Sequence, residues 1–119
     1  GIQNGNLLQM HTFPCENGDE FPKNQYTKWF DYDIIKGTLS LRHRQPGDYL
    51  TLPSGGRKTL KSWMIDEKIP RQEREEIWLL AEEKHILWIV GHRISAYYKI
   101  TEQTKTILEV EFNGGKSSG

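Results

Sequence analysis

A chain of 119 residues with 16 Lys+Arg against 16 Asp+Glu carries no formal net charge. Its length suits one domain that buries a core without staples, and a 35% hydrophobic, 11% aromatic composition argues against disorder. No apolar run approaches the ~18 residues of a membrane span, no signal-peptide pattern opens the chain, and a lone Cys15, with only His11 as a nearby imidazole, excludes an internal disulfide and argues against a structural zinc site.

In chain order, Leu7, Leu8, Met10 and Phe13 predict one short strand ended by Pro14, and Asn17-Gly18-Asp19 reads as a turn. Trp29 to Ile35 mixes aromatics and acids in near alternation, as a strand or an ordered connection. Thr38 to Arg44 alternates more cleanly: Leu39 and Leu41 face one way, Ser40, Arg42 and Arg44 the other, which is a half-buried strand with a basic outer face. Gln45-Pro46-Gly47-Asp48 is a strong turn signal. Tyr49 to Leu52 resumes the sheet, and Pro53-Ser54-Gly55-Gly56 is a second loop.

Lys58 to Lys68 predicts a helix, with Leu60, Trp63, Met64 and the neighbouring Ile65 on its apolar stripe. Pro70 stops it and opens a second short helix to Glu76, on which Arg71 and Arg74 share a face. Ile77 to Ala81 and His85 to Val90 form a hairpin with a polar tip, Trp78, Leu80, Leu87 and Ile89 supplying core. Gly91 permits a bend. Thr101 to Thr104 reads as a helical turn capped by Thr101, Thr106 to Phe112 as the last strand, and Gly114 to Gly119 as a flexible Gly/Ser-rich tail. Several strands with two adjoining helices make an α+β domain.

Candidate chemistry is sparse. Ser54-Gly55-Gly56 resembles the opening of a pyrophosphate-binding loop, but Arg57-Lys58-Thr59 follows where an Asp-Ser pair is needed, and no full Walker pattern is present, so it reads as a surface turn. His11, His43, His85 and His92 lack metal-ligand spacing and read as surface or strand-end residues. Cys15 beside Glu16 is a poor nucleophile. Asp31/Asp33 and Glu75/Glu76 read as solvated faces. With no nucleophile–base pair or metal set, a hydrolase or nucleotide enzyme is disfavoured.

The charge distribution is more informative than its sum. Residues 1–35 carry −3, residues 36–74 carry +5 and residues 75–119 carry −2. The basic set of the middle segment comprises Arg42, Arg44, Arg57, Lys58, Lys61, Arg71 and Arg74. Its bland reading is a solvated pattern with local pairs such as Glu67–Arg71. Its functional reading is phosphate recognition, since five of the seven are Arg and Lys58 falls near the expected first helix's N-terminus.

The same residues carry an ordered pattern: Arg42-x-Arg44-x-Pro46-Gly47-Asp48, Lys58-x-Leu60-Lys61, Ile69-Pro70-Arg71 with Arg74, Leu87-Trp88, and Gly91-x-Arg93-Ile94. It resembles the C-terminal domain family of bacterial tRNA(Ile)-lysidine synthetase (TilS), from about Lys28 to Phe112. It departs at Thr59, where many members have a second Lys, and at Ser62, where an acid is common. The resemblance implies an α+β domain with a β-sandwich of unusual topology, similar to one in the phenylalanyl-tRNA synthetase β chain. Residues 28–112 are then the tRNA-binding domain, 1–27 an irregular segment of the same domain, and 113–119 the tail. It further implies contact with the acceptor stem of tRNA(Ile) through Arg42, Arg44, Arg57, Lys58, Lys61, Arg71, Arg74 and Arg93. The parent ligase, a cytoplasmic bacterial enzyme, would use ATP and lysine to convert the wobble cytidine to lysidine on a catalytic domain elsewhere in the polypeptide. This chain would itself be non-catalytic, without cofactor or metal. The alternative is a docking or homodimerisation module presenting Trp29, Trp63, Trp78 or Tyr98. Basic residues gathered on one open face favour RNA; basic residues scattered and paired with acids favour docking.

Overall fold

The computed structural model describes residues 7–16 and 20–113, which build nine strands in two sheets and two short helices, a mixed α+β fold. The turn expected at Asn17-Gly18-Asp19 and the tail from Gly114 lie outside the described residues. The chain divides into two compact units, Gly37–Tyr97 and the flanking segments up to Lys36 and from Tyr98 onward.

The flanking unit is a three-stranded antiparallel sheet in the order β1-β9-β2, built from β1 (Leu8–Pro14), β2 (Thr27–Asp31) and the last strand, β9 (Thr106–Phe112). The central position of β9 explains its composition: Ile107, Leu108, Val110 and Phe112 are all buried, so apolar residues occupy both faces. Pro14 ends β1 on the sheet edge, where its missing N–H does not interrupt an interior ladder. Asp31 stops β2 by accepting the Asp33 N–H at 3.0 Å, which turns Tyr32–Ile34 into a single 3-10 turn. The Asp33 carboxylate in turn accepts the Lys105 N–H at 2.7 Å. Thr101 caps its segment as expected, accepting the Gln103 N–H at 3.2 Å, but residues 101–104 form a single turn closed by the Thr104 N–H on the Thr101 carbonyl and not a helix.

The Gly37–Tyr97 unit holds a six-stranded sheet. Its order is β3 (Leu39–Arg42), β6 (Leu79–Glu82), β7 (His85–Ile89), β4 (Tyr49–Thr51) and β5 (Arg57–Thr59), with β8 (Arg93–Ile94) also pairing β7. All pairs are antiparallel except β4 with β7, which meet in parallel at Tyr49 and His85. The β6–β7 hairpin turns on Glu83, a non-glycine residue at φ 54°. Trp78 is only half-buried, stacked on the exposed His43 ring at 4.1 Å, rather than part of the core.

The first helix is shorter than its periodicity suggests. The segment Arg57–Thr59 is extended and pairs with β4, Lys58 lying opposite Leu50, and Ser54-Gly55-Gly56 is the turn between the two strands, with Gly55 at φ 96°. Helix α1 (Leu60–Asp66) then starts at Thr59, whose side chain accepts the Ser62 N–H at 3.1 Å. Thr59, one of the departures from the family pattern, is thus a favoured N-cap residue type. Lys58 therefore sits on a strand, and the helix-dipole argument for it does not hold. Leu60, Trp63 and Met64 are buried against Leu50, Leu79, Ala81, Ile86 and Ile89, each apolar side chain contributing about 1.5–3 kcal/mol; Ile65 points outward, 48% exposed. The helix ends with Lys68 at φ 57°: the Lys68 N–H donates to Ile65 and the Ile69 N–H to Met64, both at 3.0 Å, the paired bonds of a Schellman cap. Pro70 precedes rather than begins α2 (Arg71–Arg74), which is a single turn.

Candidate nucleic-acid interface

The Gln45–Asp48 turn organises the basic end of the Gly37–Tyr97 unit. Gly47 supplies the positive φ of 89° it needs, and the Asp48 N–H closes it on the Gln45 carbonyl at 3.3 Å. Asp48 then turns inward. Its carboxylate takes two parallel hydrogen bonds from Arg42, Nη1 to Oδ2 and Nη2 to Oδ1, each 2.9 Å, and a third from the Gln45 N–H at 2.8 Å. Arg42 also donates to the His43 carbonyl at 2.9 Å and the Glu83 carbonyl at 2.6 Å. Its side chain is 17% exposed and that of Asp48 1%. A planar guanidinium meeting a carboxylate bidentately is the strong form of this interaction. Lys84 secures the turn from the other side, Nζ lying 2.9 Å from the Pro46 carbonyl. The Arg-to-Pro-Gly-Asp spacing is therefore a loop-fastening device, and Arg42 is turned toward the protein.

A surface groove of about 520 Å³ opens beside this turn, with Arg44, Gly47, Asp48, Thr59, Lys61 and Glu75 in its lining. It brings Arg44, from the segment after β3, next to Lys61, from the first turn of α1. Arg44 reaches Glu75 with Nε at 2.8 Å and Nη2 at 2.6 Å, but Glu75 is 63% exposed. Lys58 pairs with Asp66, itself 57% exposed. Exposed pairs of this kind are worth about 0–1 kcal/mol, so an incoming phosphate can replace the acid at small cost. Arg74 donates Nε to the Ile69 carbonyl at 2.8 Å, tying α2 to the end of α1. Lys61, Arg71 and Arg93 are exposed, and their side chains have no hydrogen-bonding or ion-pairing partner among the described residues.

Arg57 lies over the Tyr49 ring at 4.6 Å. Tyr49 stacks on His85 at 4.6 Å, and His85 meets Tyr97 at 4.9 Å. The His85 Nε2 is 3.0 Å from the Thr51 hydroxyl and 3.4 Å from that of Ser95. Burial first, and the Arg57 charge second, lower the His85 imidazole from its ordinary 6.5, with Glu82 opposing. Sequence reasoning grouped His85 with the surface histidines and passed over Tyr49 and Tyr97. Their clustering depends on the parallel β4–β7 contact, which no local pattern announces.

The seven basic residues of the middle segment thus meet both criteria in part. Arg42, Arg44 and Lys58 pair with acids, whereas Arg44 and Lys61 share one groove. Among the described residues no group of three or more His, Cys, Asp or Glu is placed to hold a metal, and no helix is long and apolar enough to cross a membrane.

The profile of the family described as the TilS substrate C-terminal domain matches residues 39–111. The chain belongs to this family. It is 45% identical to a tRNA(Ile)-lysidine synthase of Caldanaerobacter subterraneus over 95 residues, 79% of this chain and 20% of the relative. Against the tRNA(Ile)-lysidine synthase of Clostridium tetani the identity is 40% over 101 residues, 84% of this chain and 22% of the relative. The chain therefore spans about a fifth of the length of these relatives. A solved structure titled as the crystal structure of the TILS C-terminal domain superposes with a TM-score of 0.63 at 27% identity, covering 91% of this chain and 86% of that one. The α+β expectation and the family resemblance both hold. The TilS_C match contains the loop-fastening turn, the groove and every basic residue of the ordered pattern.

Proposed function

We propose that this TilS C-terminal domain binds tRNA(Ile) at the acceptor stem and positions it for a catalytic domain elsewhere in the same polypeptide. That domain would use ATP and lysine to convert the wobble cytidine to lysidine, in the cytoplasm. The observation that carries the reading is the division of labour among the cations. Arg42 is consumed in holding the fold, while the side chains of Lys61, Arg71 and Arg93 are exposed without a partner among the described residues. Arg44 and Lys58 are held only by exposed acids, and Arg57 is exposed over an aromatic ring. Unneutralised cations suit the phosphates and 2′-hydroxyls of an A-form helix, which is read by shape more than by sequence. Arg74 belongs with Arg42 as a residue whose first task is structural.

The test is a salt titration of binding to tRNA(Ile) and to an unrelated tRNA. Affinity falls with salt in proportion to the phosphates neutralised. A Lys61→Gln, Arg71→Gln, Arg93→Gln triple variant lowers the log–log slope by roughly 2–3 relative to the parent chain. An unchanged slope in a folded triple variant refutes the assignment of these residues.

A further inference from the structure

We propose that the groove beside the Gln45–Asp48 turn seats one RNA phosphate on Arg44 and Lys61, and that Glu75 is a built-in competitor that occupies Arg44 until RNA displaces it. The inference rests on the RNA-binding reading above and adds a regulation to it: an acid that opposes the contact is part of the site. Loss of this acid then strengthens RNA binding, the reverse of what loss of a cation does.

Three observations carry it. First, the groove has two cations and two acids in its lining, and the acids are not equivalent. The Asp48 side chain is 1% exposed and holds Arg42 and the Gln45 N–H, so it is committed to the fold. The Glu75 side chain is 63% exposed, and its carboxylate meets only Arg44 among the described residues. Arg44 and Lys61 therefore face one acid that is free to leave. Second, Glu75 makes the contact a phosphate oxygen would make. Its Oε2 receives both Nε of Arg44 at 2.8 Å and Nη2 at 2.6 Å, two donors of one guanidinium edge converging on one oxygen. It leaves the rest of the seat unused: Lys61 pairs with neither Glu75 nor any other acid among the described residues. A phosphate that meets both cations gains a contact that Glu75 does not make. Third, the competitor is mounted where it can move. Glu75 lies just after α2, outside any helix or strand, on a turn whose other acid, Glu76, is also exposed. A carboxylate tethered this way competes at an effective concentration of roughly millimolar order. A lone anion has to outcompete it, whereas an RNA that also engages Lys58, Arg71 or Arg93 brings several phosphates at once. Glu75 thus sets a threshold that favours a long, multiply charged ligand over a single phosphate.

The experiment uses the whole 119-residue chain and a fully paired RNA hairpin as the probe. At fixed salt Glu75→Gln binds the hairpin about 3–10-fold more tightly than the parent chain, because an exposed pair no longer has to be broken and no displaced carboxylate stays beside the phosphate. Glu76→Gln removes the same charge from the neighbouring exposed acid and changes affinity less than ~2-fold, since a charge outside the groove acts only through screened solvent. Arg44→Gln added to Glu75→Gln abolishes the gain, as a double-variant cycle requires of two residues acting on one seat. Equal affinity of Glu75→Gln and the parent overturns the proposal. So does an equal gain from Glu76→Gln, or a gain that survives Arg44→Gln, because either makes the effect one of overall charge. Salt-dependent binding by the parent with any of these results removes the competitor alone. Absence of salt-dependent binding by both the parent and Glu75→Gln removes the RNA reading beneath it as well.

Discussion

An Arg42→Ala variant removes a guanidinium that is 17% exposed and leaves the Asp48 carboxylate, 1% exposed in the parent chain, with the Gln45 N–H as its one remaining donor among the described residues. It also strips a hydrogen bond from the carbonyls of His43 and Glu83. Breaking a buried pair by deleting one partner costs about 3–5 kcal/mol, a large part of the roughly 5–15 kcal/mol that holds a typical domain together. For a chain of this size each kcal/mol moves the midpoint by about 4 °C, so Tm falls by roughly 12–20 °C. Thermal and urea denaturation followed by tryptophan fluorescence measure this. Arg44→Ala is the control: its partner Glu75 is exposed, so its cost stays within about 1 kcal/mol. An Arg42→Met, Asp48→Leu double variant removes both charges and recovers much of the lost stability, because the penalty lies in the orphaned carboxylate rather than in the missing attraction. An Arg42→Ala variant within about 1 kcal/mol of the parent would refute the structural role argued for this residue. If the role holds, weakened RNA binding by Arg42→Ala reports a contact only well below the variant's own Tm.

Lys68 occupies the left-handed position that closes α1, at φ 57°. Lys68→Gly removes the Cβ penalty of about 1–2 kcal/mol and adds some unfolded-chain entropy, leaving a net gain of roughly 0.5–1 kcal/mol in urea denaturation; a loss of stability would contradict the capping geometry. His85 titrates below its ordinary 6.5 in the folded chain because of burial and Arg57, so the unfolded chain binds the proton more tightly. The stability contributed by a neutral His85 is complete above pH 6.5 and is lost as pH falls from there through the folded value. A His85→Gln variant therefore loses less stability than the parent between neutral pH and that value. By NMR, the His85 titration midpoint lies below 6.5 and rises in Arg57→Gln; a midpoint at or above 6.5 in the parent chain sinks the reasoning.

What could be read in advance was local. The turn at Gln45–Asp48, the hairpin around Glu83, the final strand and the apolar stripe of α1 each follow from a short stretch whose spacing matches one period or one turn type. The start of α1 was not legible from periodicity, because Lys58 is compatible with the helical stripe and is claimed instead by the β4–β5 pairing, a tertiary preference overriding a local one. The cap at Lys68 was missed because glycine, the usual signal, is absent. Arg42 was grouped with Arg44 because both alternate outward from Leu39 and Leu41. Alternation assigns a face and says nothing of a carboxylate six residues later folding back under it.

The charge argument changes in the same way. The +5 of residues 36–74 stops just before Glu75 and Glu76, yet Glu75 is the acid Arg44 meets. Counted over the compact unit Gly37–Tyr97, ten Lys and Arg face eight Asp and Glu. The unit is close to balanced, and its net charge would not mark it as an RNA binder. The discriminating quantity is how many cations are already spoken for. Arg42 is held by a buried acid, whereas Arg44 and Lys58 are held by acids open to solvent that a phosphate can displace. The side chains of Lys61, Arg71 and Arg93 are exposed and unpartnered among the described residues. A surface built this way has a weak long-range field and a strong short-range one. It attracts polyanions poorly at a distance beyond the ~8 Å screening length of physiological salt, and holds them well only where the spacing of phosphates matches its cations. If the proposed RNA contact holds, such a domain would gain its discrimination from fit and its affinity from being tethered to other contacts on the same RNA.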